Sequence, residues 1–500
     1  MAPNPTLLRG GTVLIHDAEN HVQAIKADLL IEGNKITKIE AEISPSQGTK
    51  IIDCVNKIIS PGFIDTHHHV WQTLLKGRHA NQQLLEYMYH GFFISSLHSP
   101  SDLFWGQLGG SLECLDVGTT TVVDHAHLNY SPDHSKAALA ATISSGIRSI
   151  FCYSPTPQLK SWKPFSVKEN LLEDWVLETL QDLAAKGPFS DGRVQLGFGF
   201  DAWYLPREMV VDLFQKVKGL GIKLVTCHSV RSIVTGFRSL QEVVNGHGLL
   251  DSSILFSHAT GCSVSDAALI KKTGSHVSST PSTELQMGHG FPVALNTDLD
   301  FQDSCSIGVD CQSNNSASIA TEMRLLLQSA RGLSNESFSK AEKFPAKVYK
   351  TVEDVFNLGT IGGARAIGME DKIGSLAVGK LADIIIFDGL STGMICAAQK
   401  DPVAAVVLHS HPSDIEMVIV DGVVRKEDSK LRSVDVKAGR EVWGEDQVKT
   451  ESLEWKDVAV ELLKRQEALS QEIDKLDMEE ARAGVVRAFH IDESKIVPKV

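Results

Sequence analysis

Eight short runs of apolar and β-branched residues alternate with helix-like stretches through the middle of the 500-residue chain. Alternation of this kind predicts βα units and a parallel sheet. Eight units within residues 61–370 predict an α/β fold, a closed (β/α)8 TIM barrel with insertions, whose chemistry lies at the carboxyl ends of its strands. The candidate strands are Phe63–Val70, Thr120–His127, Arg148–Tyr153, Val194–Asp201, Lys223–His228, Ser253–His258, His276–Thr280 and Cys305–Asp310.

The two ends of the chain differ from its middle. Short strands with turn residues between them fill the region before residue 60, and similar runs return at Leu381–Asp388 and Glu416–Val424. We therefore predict a small β-sandwich built from residues 1–60 and 371–435. Residues 436–500 have a helical pattern and are expected to pack on the barrel or on a second subunit of a homo-oligomer, a dimer or a tetramer. A coiled-coil arm is the weaker alternative because sustained heptads are missing.

Composition excludes several classes of partner. Hydrophobic content of 42% and charged content of 22% are ordinary for a soluble globular protein. A net charge of -14 without a basic stripe argues against nucleic acid. Neither a signal peptide nor an apolar run long enough to span a membrane is recognisable, so a cytoplasmic enzyme acting on a small molecule is expected. The eight cysteines lack C-x-x-C spacing and are expected to be reduced thiols.

A His-x-His pair closes the first predicted strand. Alternate side chains of a strand share a face, so His67 and His69 can point at one metal ion while His68 points away. A solvated histidine cluster is the alternative reading of this motif alone. A lone histidine at a strand end is more often structural than a ligand. Because His228 and His258 end two further strands at the same rim, the pattern favours a metal site.

Five motifs give the chain a family resemblance. Because of these motifs, the chain resembles the amidohydrolase superfamily, and within this superfamily the branch of cytosine-deaminase-like and triazine-hydrolase-like enzymes. The resemblance covers nearly the whole chain and implies a β-sandwich formed by the flanking segments beside the barrel, in agreement with the split domain inferred above. The motifs are Pro61–His69, Gln72–Gly77, Gly118–Asp124, Gly374–Asp383 and Val420–Gly422.

The resemblance implies a mononuclear metal site. His67, His69, His228 and Asp310 would hold one divalent ion, expected to be zinc, with iron and manganese as alternatives. The ion would lower the pKa of a bound water, Asp310 would take its proton, and His258 would orient the water or polarise the electrophile. Strand four does not end in the lysine that binuclear relatives carry, so one metal is expected rather than two.

Two aspartates compete for the ligand position on the eighth strand. Asp298 lies in a motif that looks like the common family ending, and Asp310 follows Ser306–Val309. We assign Asp310 because the segment Pro292–Asp300 is expected to be the short helix before the strand. Asp298 is then predicted to lie on the surface.

The main departure from the family follows strand five. Deaminases of this branch have His-x-x-Glu there, and this chain has His228-Ser229-Val230-Arg231. A guanidinium cannot act as a general base. Glu284, just past strand seven, is predicted to replace the missing acid, or Arg231 to bind a substrate carboxylate or oxyanion. The alternatives are a surface salt bridge for Arg231 and a solvated loop for Glu284.

Other side chains at strand ends are candidates for lining the substrate pocket. His127 and His289 are the first choices because of their loop positions. Trp203 is a rigid aromatic that could stack on a flat ring, and ordinary packing is equally compatible with its sequence position. His125, Asp201 and His276 complete the candidates.

These residues predict a metal-dependent hydrolase that attacks a non-peptide C–N bond, in a cyclic amide, an amidine or an aryl-linked amine. A lyase, such as a decarboxylase or dehydratase, is the alternative suggested by the missing glutamate. A non-catalytic binding protein on a degenerate barrel is the third hypothesis, and the full ligand set argues against it.

Overall fold

The barrel is present in the structure, a computed structural model that describes residues 4–444 and 447–497. Eight parallel strands follow one another in chain order around a single sheet. The ring closes where the main-chain N–H groups of Val309 and Asp310 donate to the His67 carbonyl at 3.0 and 2.8 Å. The predicted fold class is confirmed. The strands are Phe63–His68, Thr119–Ala126, Arg148–Tyr153, Val194–Gly199, Val225–Val230, Ile254–Thr260, His276–Ser279 and Cys305–Ile307.

Two details near the eighth strand differ from prediction. The strand ends at Ile307, not at Asp310, because Asp310 has a φ of 67° and its backbone leaves the extended conformation. Residues 292–300 form turns and not a short helix, since the hydrogen bonds there span only three residues, as from Asn296 to Val293. Asp298 is exposed, as predicted.

Helices surround the barrel and connect its strands. Several begin with a capping box: at the first of them Ser99 Oγ accepts from the Asp102 main chain, and the Asp102 carboxylate accepts from Ser99 N. The helices of this layer are Pro100–Asp116, Pro132–Ser145, Asp174–Lys186, Arg207–Gly219, Leu240–Gly246, Val264–Thr273, Pro281–Gln286, Ile319–Lys340, Val352–Leu358 and Ile361–Ala366. Short helical turns at Val70–Leu75, Leu84–Tyr87, Met88–Phe92 and Phe93–Leu97 follow the first strand.

Both ends of the chain meet in a second sheet of nine strands. The link between the ends is an antiparallel pair in which Lys57–Pro61 lies beside Ile384–Asp388. Buried side chains from both ends, among them Leu8, Ile59 and Met417, form one core within this sheet. The domain boundaries given above stay a prediction. The strands are Thr6–His16, Val22–Glu32, Lys35–Glu40, Lys50–Asp53, Lys57–Pro61, Ile384–Asp388, Ile415–Val420, Val423–Glu427 and Lys430–Leu431.

The C-terminal segment packs on the barrel. Its helices are Lys437–Trp443, Trp455–Ile473 and Met478–Ala488. Arg465 of the second helix donates to the Asp102 carboxylate at 2.8 Å. The third helix lies against a hairpin formed by Leu159–Trp162 and Phe165–Val167, after the third barrel strand. Within the described part of the chain, no helix combines the length and apolar character needed to cross a membrane.

Candidate metal centre

Three imidazoles and one carboxylate converge at the carboxyl end of the barrel. His67, His69, His228 and Asp310 each offer one donor atom, and these atoms lie within 4.8 Å of one another. Asp310 Oδ1 is 3.0 Å from His67 Nε2 and 3.1 Å from His69 Nε2. The structure thus brings together the four side chains predicted as ligands.

Backbone strain at two residues accompanies this arrangement. Asp310 has a φ of 67° and His258 a φ of 73°, in the left-handed region that side chains other than glycine rarely adopt. Such residues cost about 1–3 kcal/mol each and persist where the surrounding structure holds them. Here Asp310 N donates to the His67 carbonyl and His69 N donates to the Asp310 carbonyl at 3.0 Å.

The second nitrogen of each imidazole is hydrogen-bonded away from the centre. Because carbonyls and carboxylates only accept, His69 and His228 each carry a proton on Nδ1, and Nε2 of each ring faces the centre. The two Nε2 atoms face each other at 3.2 Å. The partners are Ser257 Oγ for His67 at 2.7 Å, the His125 carbonyl for His69 at 2.9 Å, and Asp201 Oδ2 for His228 at 2.9 Å.

These donors fit a divalent metal. Four donor atoms within 4.8 Å of one another can share one cation, and hydrogen bonds from the outer nitrogens are typical of metal-binding histidines. Although burial opposes ionisation, the imidazoles of His67, His69 and His258 beside the carboxylate hold the pKa of Asp310 well below its usual value. Burial lowers the pKa of His67. Neutral imidazoles with one carboxylate are a ligand set for zinc and similar ions.

His68 has a separate, structural environment. Its Nδ1 lies 2.8 Å from Asp65 Oδ2, and both side chains are fully buried. Asp65 Oδ1 also accepts from the main-chain N–H groups of His67 and Val309. The Asp65 carboxylate therefore links the first strand to the turn before Asp310, on the side facing away from the centre.

His258 lies beside the four donors. Its Nε2 is 4.0 Å from Asp310 Oδ2, and its Nδ1 is 2.8 Å from Thr280 Oγ1 and 3.6 Å from Glu284 Oε1. Burial lowers the pKa of His258 to about 4, so the ring is neutral at neutral pH. A neutral imidazole here can accept a proton or direct a lone pair toward a water near Asp310.

A cavity of about 220 Å³ opens onto the donors. Its inner end is lined by imidazoles, including His127 and His289, as predicted. The His127 ring lies 4.1 Å from that of His69, and the His289 ring 4.9 Å from that of His258. Burial lowers the pKa of both rings, that of His289 to about 3. The inner end therefore offers neutral nitrogens to a ligand.

The family of the chain follows from a comparison with known families. A model of the amidohydrolase family matches residues 58–425, which include all eight barrel strands and, except for Lys57, the strand pair that joins the two chain ends. The chain belongs to the amidohydrolase family. The family predicted from the sequence motifs is thereby confirmed.

This amidohydrolase has relatives among nucleoside deaminases. It is 27% identical over 444 residues to a 5'-deoxyadenosine deaminase of Methanobrevibacter smithii, covering 85% of this chain and 94% of the relative. It is 26% identical over 433 residues to a 5-methylthioadenosine/S-adenosylhomocysteine deaminase of Thermococcus sibiricus, covering 84% and 93%. The predicted enzyme class, a metal-dependent hydrolase of non-peptide C–N bonds in small molecules, is confirmed.

Solved structures agree on the fold. An adenosine deaminase from Xanthomonas campestris with bound zinc superposes with a TM-score of 0.75 at 18% identity, covering 95% of this amidohydrolase and all of that chain. An atrazine chlorohydrolase from Arthrobacter aurescens in complex with zinc gives 0.73 at 18% identity, with 93% and 99% covered. At these identities the superpositions support the architecture and no particular substrate.

Two residues predicted to bind substrate do not line the cavity of the amidohydrolase. Trp203 packs against Phe200 and Phe214, and its Nε1 donates to the Phe200 carbonyl at 3.0 Å. Arg231 forms an ion pair with Asp266, the buried first-turn acid of the next helix. Apolar neighbours hold the first side chain and a carboxylate the second, so the structure favours the packing alternative for Trp203 and the salt-bridge alternative for Arg231.

Two further predictions need correction. His276 begins its strand and therefore lies at the opposite end of the barrel from the donors. Glu284 is fully buried behind His258 and does not line the cavity. Its Oε1 accepts from Thr280 N at 2.8 Å, and its Oε2 has no hydrogen-bond partner among the described residues. Burial raises the pKa of Glu284 well above the usual value. It can act on the cavity only through His258.

Sequence reasoning missed the residues behind and around the donors. Ser257 and Thr280, which orient His67 and His258, each follow a strand pattern and could have been found as polar residues beside a strand-end histidine. The outer cavity wall had no recognisable signal, because it is assembled from apolar residues of distant loops. Leu84, Met88, Phe92, Leu171 and Phe489 belong to this wall.

Proposed function

We propose that the protein is a mononuclear zinc hydrolase that releases an amine from a ring carbon of a small heteroaromatic molecule. His67, His69, His228 and Asp310 would be the ligands. The observation that carries the proposal is the pair of facing Nε2 atoms of His69 and His228, 3.2 Å apart, beside the Asp310 carboxylate. The deaminases among the relatives support hydrolysis at an amino-substituted ring.

The residues beside the metal site would divide the proton transfers. Zinc would supply a water whose pKa is lowered to about 7. Asp310 would accept the proton of this water, because its carboxylate is ionised and faces the cavity. His258, 4.0 Å from Asp310 Oδ2, would orient the water through Nε2. His127 and His289 would hydrogen-bond to the ring of the substrate.

Glu284 would supply the proton that the leaving amine needs. Its carboxyl is protonated because burial raises its pKa, and Oε1 lies 3.6 Å from His258 Nδ1. A proton would pass from Glu284 to His258 Nδ1 while His258 Nε2 gives its own proton to the leaving amine, and the proton that Asp310 takes from the water would return to Glu284 through His258. In this role Glu284 replaces the acid that follows strand five in related deaminases and is absent at Arg231.

Metal analysis of variants tests the ligand set. We expect about one equivalent of zinc in the native protein and in Asp298→Ala, and a loss of metal and activity in Asp310→Ala. Asp298 is an exposed control in a turn of the same region. Retention of stoichiometric metal by Asp310→Ala would contradict the assignment. Oxygen from isotope-labelled water in the product would separate hydrolysis from a lyase reaction.

We also propose a homo-oligomer, a dimer or a tetramer, located in the cytoplasm. The exposed apolar side chains of Phe344 and Val348 support association, since exposed aromatic and aliphatic groups often mark interfaces. Light scattering on the purified protein would measure the assembly. A monomer at all concentrations would refute it.

A further inference from the structure

The outer half of the cavity is apolar. Among the residues that the structure describes, the only carboxylates that line the cavity are those of Asp201 and Asp310. Both lie at its inner end beside the imidazoles. Two threonine hydroxyls at the wall are engaged with main-chain carbonyls: Thr156 Oγ1 donates to Ser154 O at 3.1 Å and Thr235 Oγ1 to Val230 O at 2.5 Å. The Tyr87 hydroxyl accepts from Gln72 Nε2 at 2.7 Å, and Tyr204, which is 75% exposed, carries the remaining phenol of the lining. The outer wall therefore accommodates carbon atoms better than hydroxyl groups.

The C-terminal segment completes this wall. Ala481 and Val485 of the helix Met478–Ala488 are fully buried in a cluster with Tyr89 and Phe93 from the loop after the first strand. Phe489 follows the helix directly and lines the cavity, with its ring 6.4 Å from that of Phe93. The position of Phe489 is thus fixed by a helix that packs on two rim segments of the barrel.

The fit of the helix to the rim is close. A Cβ atom on Gly484 would lie 2.3 Å from the ring of Phe165 in the hairpin, so only glycine allows this approach. Phe165 N also donates to the Glu480 carboxylate at 3.2 Å. These contacts hold the end of the helix, and with it Phe489, at the cavity mouth.

We propose that Phe489 is a specificity-determining residue that contacts an apolar substituent on the substrate ring. With the reacting carbon beside Asp310, such a substituent extends from the opposite side of the ring to the outer wall. The substrate class is then an alkyl-substituted heteroaromatic amine and not a nucleoside. This substrate class rests on the function proposed above, whereas the contact with Phe489 does not.

The expected effects of buried methylene and hydroxyl groups on affinity favour the alkyl substituent over a ribose. Each buried methylene strengthens binding about three- to fourfold. A hydroxyl buried at the wall without a partner weakens binding by about tenfold, and a ribose would bring several. An alkyl chain of four carbons is therefore expected to bind at least tenfold more tightly than hydrogen at the same ring position.

A binding series on the zinc-loaded full-length protein tests the inference. The probes are 4-aminopyrimidine, its 2-methyl and 2-butyl derivatives, and adenosine, measured by calorimetry together with ammonia release. In the native protein the butyl derivative should bind at least tenfold more tightly than the unsubstituted ring, and more tightly than adenosine. Phe489→Ala should reduce the butyl preference, the ratio of the two affinities, about fivefold or more, with zinc content unchanged.

Two variants keep the test decisive. Phe489→Leu retains an apolar side chain against Phe93 and should give an intermediate preference even if the alanine variant is poorly folded. Leu463→Ala is the matched control, because Leu463 is 67% exposed on the helix Trp455–Ile473 of the same segment and does not line the cavity. It should leave the butyl preference unchanged.

The outcomes separate the two proposals. A butyl preference that is equal in the native protein and in both Phe489 variants would overturn the inference, even if ammonia is released. Tighter binding of adenosine than of the butyl derivative, or no binding of any probe, would overturn the substrate class. If Phe489→Ala reduces the butyl preference but no probe releases ammonia, the contact between Phe489 and the substituent would be supported and the proposed reaction refuted.

Discussion

Asp201 holds His228 through two hydrogen bonds, one to the ring and one to the backbone. Its Oδ2 accepts from His228 Nδ1 at 2.9 Å and its Oδ1 from His228 N at 2.8 Å. One carboxylate thereby sets both the tautomer of the imidazole and the direction in which Nε2 points. Asp201 is a positioning residue for the metal centre, supplied by the end of the fourth strand.

Replacing Asp201 should weaken metal binding without removing a ligand. Loss of such an outer carboxylate costs about 10- to 100-fold in metal affinity. We expect Asp201→Asn to fall in this range in competition with a chromophoric chelator, and the exposed control Asp298→Asn to bind like the native protein. Equal affinities for all three proteins would show that His228 does not need the carboxylate.

Glu284→Gln keeps the shape of the side chain and removes its proton. If Glu284 supplies protons through His258, kcat should fall by about 100-fold while KM and zinc content stay unchanged. Glu322→Gln is the matched control, because Glu322 is a second buried carboxyl, and it bonds to Ser282 and Asn315 and not to His258. A kcat within a few-fold of native in Glu284→Gln would restrict Glu284 to a packing role.

Glu322 should make stability depend on pH. Burial raises its pKa from 4.5 to about 7. The folded protein then holds this proton more tightly than the unfolded chain, so the contribution is fully present below pH 4.5 and is lost as the pH rises through 7. Between pH 5 and 8 the native protein should lose about 2–3 kcal/mol of unfolding free energy relative to Glu322→Gln. Urea unfolding at both pH values measures this difference, and parallel curves would contradict it.

A buried ion pair joins the barrel to the nine-stranded sheet. Arg148 Nε lies 2.7 Å from Asp383 Oδ2, and both side chains are less than 5% exposed. Removing one partner leaves a buried charge unpaired, so Arg148→Met should lower the unfolding free energy by about 3–5 kcal/mol. Lys186→Met, in an exposed pair with Asp182, should cost less than about 0.5 kcal/mol. Similar losses of unfolding free energy in both variants would show that burial does not increase the cost of removing one partner of an ion pair.

Much of the fold could be predicted because strand periodicity and strand-end histidines are local signals. The His-x-His spacing of His67 and His69 at the end of the first strand, together with the strand that carries His228, suffices to bring three imidazoles to one rim. The backbone conformation at Asp310 could not be predicted from local sequence. It is left-handed and is held by hydrogen bonds to His67 and His69, which are distant in sequence.

The sequence could not predict in which direction a side chain points once its strand has ended. His127 follows its strand directly and Trp203 lies a few residues past its own, and of these two residues His127 lines the cavity. Local packing decides between them, since Trp203 meets Phe200 and Phe214 on the outer side of its strand. The direction of the Arg231 side chain likewise depends on its ion pair with Asp266, which lies in a helix whose orientation no local pattern encodes.

The pairing of Lys57–Pro61 with Ile384–Asp388 also sets an order of events during synthesis. Strands made near the start of translation cannot complete their sheet until the whole barrel has left the ribosome, roughly half a minute later at 5–20 residues per second. Their apolar faces stay available to chaperones, or to other nascent chains, for that interval. An early stop of translation would therefore release a chain with an unpaired strand edge, which quality control can recognise.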